Sequence, residues 1–113
     1  MVVTNRAVTV WHNPRCSKSR AALAYLVERG ITPDVRLYLK DAPTAEEITE
    51  MLAALGLPAE GLLRKDGSAW KGQPEDQIIA AMVSDPALIE RPVIHRGDKA
   101  VIGRPTEAIA SLL

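Results

Sequence analysis

Residues 12–20 read HNPRCSKSR and lie where a strand-like stretch ends and a helix-like stretch begins. They contain Cys16, the only cysteine in the 113-residue sequence. A cysteine in the first turn of a helix faces unpaired backbone N–H groups and the positive end of the helix dipole, and both favour the thiolate over the thiol. Arg15, Lys18 and Arg20 add positive charge nearby. The stretch therefore predicts a nucleophilic thiolate beside a site that attracts oxyanions.

Other roles are open for the polar residues of this stretch. A single cysteine can also serve as a small buried hydrophobic residue, although the polar neighbours of Cys16 argue against that role. Ser17 and Ser19 are candidates to cap the helix or to donate to a bound anion, and capping is the simpler role. His12 would stabilise the thiolate as a cation, or would be a hydrogen-bonded structural residue as a neutral ring.

The flanking patterns predict a β-α-β unit. Residues 7–11 alternate apolar and polar side chains and predict a strand. Residues 17–29 predict a helix that Gly30 ends. The apolar face of this helix consists of Leu23, Leu26 and Val27. Residues 35–40 predict a second strand because three apolar residues alternate with polar ones. These apolar residues are Val35, Leu37 and Leu39.

The middle of the chain predicts helices. Residues 44–55 have the clearest helical pattern, because Thr44 and Glu47 form a capping box and Gly56 follows the last apolar residue. Its apolar face consists of Ile48, Met51, Leu52 and Leu55. Residues 58–63 predict a further, short helix.

The last third of the chain completes the fold prediction. Residues 64–73 predict a loop, and residues 74–83 predict a helix that buries four apolar residues. These are Ile78, Ile79, Met82 and Val83. Residues 93–102 predict a β-hairpin with its turn at residues 97–98, and Pro105 starts a final helix. This order predicts an α/β, thioredoxin-like fold, in which a four-stranded mixed sheet is flanked by helices and carries an inserted helical segment.

Composition limits the classes of function. A chain of 113 residues with 47% hydrophobic residues predicts one domain over residues 1–113. Fourteen basic and 14 acidic residues give no sign of a general nucleic-acid or membrane surface. No N-terminal apolar stretch has the length of a signal peptide or a membrane span, so a cytoplasmic location is expected. One cysteine excludes an intramolecular disulfide and a cysteine-based zinc site, and no metal is expected.

Spacing excludes two common cysteine mechanisms. Residue 19 is serine, so the dithiol motif Cys-x-x-Cys is absent. Residue 22 is alanine, so the Cys-x5-Arg cradle of tyrosine phosphatases is absent as well. A monothiol at a helix N-terminus remains.

Residues 12–20 resemble the signature loop of the ArsC family, the glutaredoxin-linked arsenate reductases. Four further motifs resemble that family in the same order. They are LYL at 37–39, LLRK at 62–65, LIERPV at 88–93 and GRPTE at 103–107. The sequence Cys-Ser-Lys-Ser in the loop and a short segment between the second and third of these motifs are similar to the YfgD-like branch of the family.

The resemblance implies an activity and a set of site residues. It implies that Cys16 attacks arsenate, that His12 lies near the thiol, and that three arginines form an oxyanion site. These are Arg64, Arg91 and Arg104. Arginine suits the role because its planar, permanently charged guanidinium donates two parallel hydrogen bonds. Arsenite is the implied product, with no bound cofactor, glutathione as co-substrate and glutaredoxin or an equivalent thiol oxidoreductase as partner. Thioredoxin-like folds place a cis-proline beside the cysteine, and Pro92 is the candidate.

Two alternatives share this fold. Spx-type regulators bind RNA polymerase and turn over no small molecule, and monothiol glutaredoxin-like proteins handle glutathione adducts or an iron–sulfur cluster. The three arginines favour the enzyme, because neither alternative needs convergent guanidinium groups.

Overall fold

A four-stranded sheet supports the loop that carries Cys16. A computed structural model describes residues 8–113. The strands are β1 (Val8–Trp11), β2 (Asp34–Arg36), β3 (Val93–Arg96) and β4 (Lys99–Ile102). The α-helices of the described residues are α1 (Ser17–Glu28), α2 (Ala45–Leu55) and α3 (Glu75–Ser84). Short 3-10 helices cover Ala59–Leu62, Lys65–Trp70, Pro86–Leu88 and Thr106–Leu112.

The strand order is β2-β1-β3-β4. Strand β1 pairs in parallel with β2 and antiparallel with β3, and β3 pairs antiparallel with β4. Val10 lies opposite Val35 on one side and Ile94 on the other, so β1 is an interior strand. Residues 12–16, the Cys loop, leave the carboxyl end of this interior strand. The predicted four-stranded mixed sheet of a thioredoxin-like fold is confirmed.

Helices cover both faces of the sheet, and each face has its own apolar cluster. On one face, α1 and the last 3-10 helix pack against the sheet through Val8, Val10, Ala22, Leu26, Ile94 and Ile109. On the other face, α2 and α3 pack through a larger set that includes Trp11, Ile48, Met51, Leu52, Ile78, Met82 and Val93. Burial of these apolar side chains on both faces holds the strands that carry the site residues.

Helix α2 begins and ends as its sequence predicts. The Thr44 hydroxyl accepts the Glu47 backbone N–H at 3.1 Å, and the Glu47 carboxylate accepts the Thr44 N–H at 2.9 Å. Gly56 ends the helix with φ of 69°. The same carboxylate accepts a hydrogen bond of 2.6 Å from Arg36, which ties the start of α2 to strand β2.

The prediction for the second strand is wrong in its length and in its buried face. Strand β2 stops at Arg36, and the N–H groups of residues 40 and 41 fold back to the Leu37 carbonyl. Tyr38, two residues after the strand, is fully buried. The predicted apolar face, Val35, Leu37 and Leu39, is exposed by 46%, 38% and 44%. The odd positions 35, 37 and 39 are therefore the exposed ones, and the even positions 36 and 38 are the more buried ones.

Smaller differences concern the helices. Val27 is exposed by 63%, because α1 buries the face with Ser19, Ala22 and Leu26. The predicted loop at residues 64–73 contains the 3-10 helix Lys65–Trp70, and the final helix is also 3-10. The 3-10 form needs only hydrogen bonds between residues three apart, so it tolerates the glycine and scattered charges of that loop. Residue 7, predicted to start the first strand, lies outside the described residues.

Candidate active site

The Cys loop places Cys16 at the start of α1. Cys16 is the N-cap residue, with an extended backbone, and its carbonyl accepts the first helical hydrogen bond, from the Arg20 N–H at 3.0 Å. Two hydrogen bonds to Asn13 close the loop: the Cys16 N–H donates to its carbonyl and the Arg15 N–H to its side chain, both at 3.0 Å. The half-buried thiol therefore lies over the first turn of the helix.

The environment of Cys16 favours the thiolate. Burial raises the pKa of the Cys16 thiol, but a hydrogen bond from the Arg91 side chain and its positive charge lower it. The backbone N–H groups of residues 18 and 19 lower it further, as expected for a thiol at a helix start. The hydrogen bonds and the charge of Arg91 together outweigh the effect of burial, and the pKa of Cys16 lies below its ordinary value of 9.0.

A second arginine reaches the same sulfur atom. Arg104 donates from Nη2 to Cys16 Sγ at 3.8 Å, and its Nε donates to the Arg91 carbonyl at 2.7 Å. The bond to that carbonyl orients the guanidinium toward the thiol. Both arginines precede a proline through a cis peptide bond, at Arg91–Pro92 and Arg104–Pro105, and the first of these involves the candidate cis-proline Pro92.

Arg64 joins the group through a backbone pairing between distant segments. Leu63 and Ile89 form an isolated antiparallel bridge, and the Arg64 N–H donates to the Leu88 carbonyl at 2.9 Å. This pairing places Arg64 beside Glu90, with Arg64 Nε 3.8 Å from Glu90 Oε1. That distance is an ion pair and is too long for a hydrogen bond.

Two buried guanidinium N–H groups have no acceptor among residues 8–113. They are the Nε groups of Arg64 and Arg91. A buried donor without an acceptor costs about 1–3 kcal/mol, and more when it is charged. The chain therefore presents unused, positively charged donors at Arg91, next to the Cys16 thiol, and at Arg64, next to Glu90. Such donors are the chemistry required to bind an anion.

Sequence reasoning missed two residues of this site. Tyr38 is fully buried, and its hydroxyl has no hydrogen-bond partner among the described residues. Burial raises the pKa of Tyr38, whereas the nearby charges of Arg91 and Arg64 lower it, and burial prevails. Glu90 lies 3.6 Å from Arg104 as well as 3.8 Å from Arg64. Both residues stand inside motifs that resemble the ArsC family, at 37–39 and 88–93, and that was the available signal.

The predicted role of the Ser17 and Ser19 hydroxyls as helix caps is wrong. No side chain caps the start of α1. The buried Ser19 hydroxyl instead accepts the Asn13 N–H at 3.0 Å and shares a hydrogen bond of 2.5 Å with His12 Nδ1. Ser17 is exposed. Backbone N–H groups of this first turn, those of residues 18 and 19, instead face the Cys16 thiol at the N-cap position.

His12 is a buried, hydrogen-bonded residue, not a cation beside the thiol. Burial lowers the pKa of His12, and the positive charge of Arg20 lowers it further. A neutral ring at neutral pH follows. Its hydrogen bond with Ser19 connects the end of β1 to α1 and so holds together the two ends of the Cys loop.

The basic residues of the loop do not converge on the thiol in the way that the sequence suggested. Arg15 and Lys18 are exposed. The Arg20 guanidinium donates to the Pro14 carbonyl at 3.0 Å, so it braces the loop. Arg91, 75 residues away along the chain, supplies the charge that lowers the pKa of Cys16.

Comparisons with known proteins agree with this geometry. A family model described as the ArsC family matches residues 11–112. The chain belongs to the ArsC family. An arsenate reductase from Neisseria meningitidis is 40% identical over 114 residues, which cover 94% of this chain and 97% of that one. The uncharacterized protein YfgD of Escherichia coli is 38% identical, with 96% and 98% covered.

A solved structure of an ArsC relative extends the agreement to the fold. The arsenate reductase from Vibrio cholerae has a TM-score of 0.90 and 36% identity, covering 97% of this chain and all of that one. Three ArsC motifs of the present chain supply the arginines: LIERPV and GRPTE carry Arg91 and Arg104, which lie beside Cys16, and LLRK carries Arg64, which lies beside Glu90.

Two further features of residues 8–113 bear on the site. No helix in that range combines the length and apolar character needed to cross a bilayer. Within the same range, no three His, Cys, Asp or Glu side chains are grouped so that they could hold a metal ion.

Proposed function

We propose that this protein reduces an oxyanion, with arsenate as substrate and arsenite as product, by means of a nucleophilic Cys16 thiolate. The observation that carries the proposal is a pair of buried, unused guanidinium N–H groups, that of Arg91 beside the thiol and that of Arg64 beside Glu90. Arg104 adds a third guanidinium at 3.8 Å from the sulfur. Three forked donors can neutralise a compact, multiply charged anion while it is attacked.

The reaction has two steps, the attack of Cys16 on arsenate and the reduction of arsenic by glutathione. The Cys16 thiolate attacks arsenic, an As–S bond forms, and one arsenate oxygen leaves as water after taking up protons. A glutathione thiolate then attacks Cys16 Sγ, so that an S–S bond forms and the As–S bond breaks with its electron pair going to arsenic. Arsenic passes from the +5 to the +3 state, and Cys16 and glutathione are left as a mixed disulfide.

An external thiol system must complete the cycle, because the sequence contains no second cysteine to resolve the adduct. Glutaredoxin or an equivalent oxidoreductase, with a second glutathione, returns Cys16 to the thiolate. A groove beside the Cys loop suits such a partner. It is lined by His12, Asn13, Pro14, Arg15, Leu37, Leu39 and Lys40. Its two leucines are exposed, so an apolar contact is available next to residues 12–15 of the Cys loop. A cytoplasmic location, where glutathione keeps thiols reduced, belongs to this proposal.

The two alternatives, an Spx-type regulator and a monothiol glutaredoxin-like protein, do not explain the three arginines. A regulator that docks on RNA polymerase needs exposed contact residues, whereas the Arg64 and Arg91 Nε groups are buried. A glutathione or iron–sulfur carrier needs no trio of guanidiniums at its thiol. Colour and iron content of the purified protein test the second alternative directly.

Arsenate-dependent oxidation of NADPH tests the proposal, with glutathione, glutaredoxin and glutathione reductase supplied. Wild-type protein should sustain turnover, and Cys16→Ser should abolish it. Omitting glutathione should stop turnover. With glutathione present and glutaredoxin omitted, stalled protein should carry one glutathione, visible as a single mass increment that Cys16→Ser removes. Repeated turnover without any thiol, or equal rates for wild type and Cys16→Ser, would overturn the proposal.

A further inference from the structure

Glu90 lies between two of the three arginines of the oxyanion site. Its Oε1 atom is 3.6 Å from Arg104 Nε and 3.8 Å from Arg64 Nε. Both distances allow attraction, and neither is a hydrogen bond, so the carboxylate does not use up the guanidinium donors. The Glu90 side chain is 23% exposed, which leaves the contact partly shielded from water.

Backbone contacts hold Glu90 at this position. Its N–H donates to the Leu62 carbonyl at 2.8 Å, as part of the pairing that also places Arg64. Oε1 accepts the Arg91 N–H at 3.1 Å, which fixes the direction of the carboxylate. Within residues 8–113 the hydrogen bond of this carboxylate goes to Oε1, so Oε2 stays available as an acceptor.

A negative charge at this point changes what the arginines can bind. An anion held by Arg64 and Arg104 comes close to the Glu90 carboxylate, because both guanidiniums already lie within 4 Å of it. Two negatively charged oxygens repel each other unless a proton lies between them. An anion with an O–H group can donate that proton as a hydrogen bond to Oε2, and the repulsion becomes an attraction.

We propose that Glu90 selects oxyanions that carry a proton and discriminates against fully ionised ones. Arsenate and phosphate keep at least one proton at neutral pH, whereas sulfate keeps none. Glu90 thereby acts as a specificity-determining residue that contacts the bound anion. The inference rests on the proposed function, because it assumes that Arg64 and Arg104 hold the substrate.

Binding of phosphate and sulfate tests this without any catalysis. Each anion is titrated as a protectant of Cys16 against alkylation by iodoacetamide at neutral pH, and the two half-protecting concentrations are compared within each variant. Wild type should bind phosphate more tightly than sulfate. Glu90→Gln keeps the shape and removes the charge, so sulfate should gain about tenfold relative to phosphate. Glu90→Asp keeps the charge and should keep the preference for phosphate.

Asp66→Asn is the matched control. Asp66 Oδ2 lies 3.3 Å from Arg64 Nη1, but this carboxylate is 67% exposed and contacts one arginine of the site. Its removal should leave the ratio of phosphate to sulfate binding unchanged. A Glu90→Gln ratio equal to that of wild type overturns the role of Glu90 while the proposed function stands. If neither anion protects wild type, the oxyanion site fails and the proposed function fails with it.

Discussion

Arg104 is the arginine whose contribution can be worked out from its distances to Cys16 and Arg91. Its Nη2 contacts Cys16 Sγ at 3.8 Å, and its Nε donates to the Arg91 carbonyl at 2.7 Å. Arg104→Ala removes a charge beside the thiolate and one forked donor to the bound anion. Arg104→Lys keeps a charge, but a single ammonium group cannot make both contacts at once.

Two terms set the expected loss. A charge-assisted hydrogen bond to the anion contributes about 1.5–3 kcal/mol. A unit charge about 4 Å from the thiolate adds about 1 kcal/mol in water and about 4 kcal/mol at an effective dielectric constant of about 20. The Arg104 side chain is 35% exposed, so the water limit applies. The sum of about 2.5–4 kcal/mol corresponds to a decrease in kcat/KM of about 60- to 1000-fold for Arg104→Ala.

The coupled NADPH assay with arsenate measures this loss. Arg104→Lys should recover only a small part of the activity. Arg29→Ala is the control, because the Arg29 guanidinium stacks on Tyr25 and donates to its carbonyl near the far end of α1. It should keep the wild-type rate. An Arg104→Ala rate within about twofold of wild type would show that this guanidinium stabilises no step of the reaction.

Three further outcomes are expected. The alkylation rate of Cys16 against pH should inflect below the value of free cysteine, because the pKa of Cys16 is lowered; an ordinary inflection would remove the basis for a thiolate. The hydrogen bond from Arg36 lowers the pKa of Glu47 from 4.5 to about 2, so its stabilising contribution should be complete above pH 4.5 and lost as the pH falls toward 2. Denaturant unfolding should show the free energy of unfolding of wild type fall between pH 4.5 and pH 2 by about 0.2–1 kcal/mol more than that of Glu47→Gln. The difference is small because the pair is partly exposed. Gly103→Ala should destabilise the fold by about 1–3 kcal/mol and lower activity, because the added Cβ would lie 3.0 Å from Pro92 Cγ; an unchanged thermal midpoint would contradict this.

Local patterns in the sequence determined the elements that surround the thiol. The alternation before residue 12 and the helical pattern after residue 16 placed Cys16 at a strand-to-helix junction, and the structure has it as the N-cap of α1. The capping box at Thr44 and Glu47 is present for the same reason. Such features depend on interactions between residues at most four apart along the chain, so the local sequence is enough to predict them.

Which side chains reach the thiol was decided by contacts between distant segments. The sequence pointed to Arg15, Lys18 and Arg20 as the charges that lower the pKa of Cys16, because they are close along the chain. In the folded protein the charge comes from Arg91, since β3 pairs with β1 and brings its preceding segment to the end of β1.

Tyr38 and Glu90 show the same limit. The alternating pattern assigns Tyr38 to an exposed face, but in the folded chain Tyr38 is fully buried while Val35 and Leu37 are exposed. Glu90 looks like an ordinary surface acid until the bridge between Leu63 and Ile89 sets it against two arginines. The packing of residues 35–39 and a single bridge between segments about 25 residues apart leave no periodic signal, so the residues that lie beside the three arginines are decided only when the chain is folded.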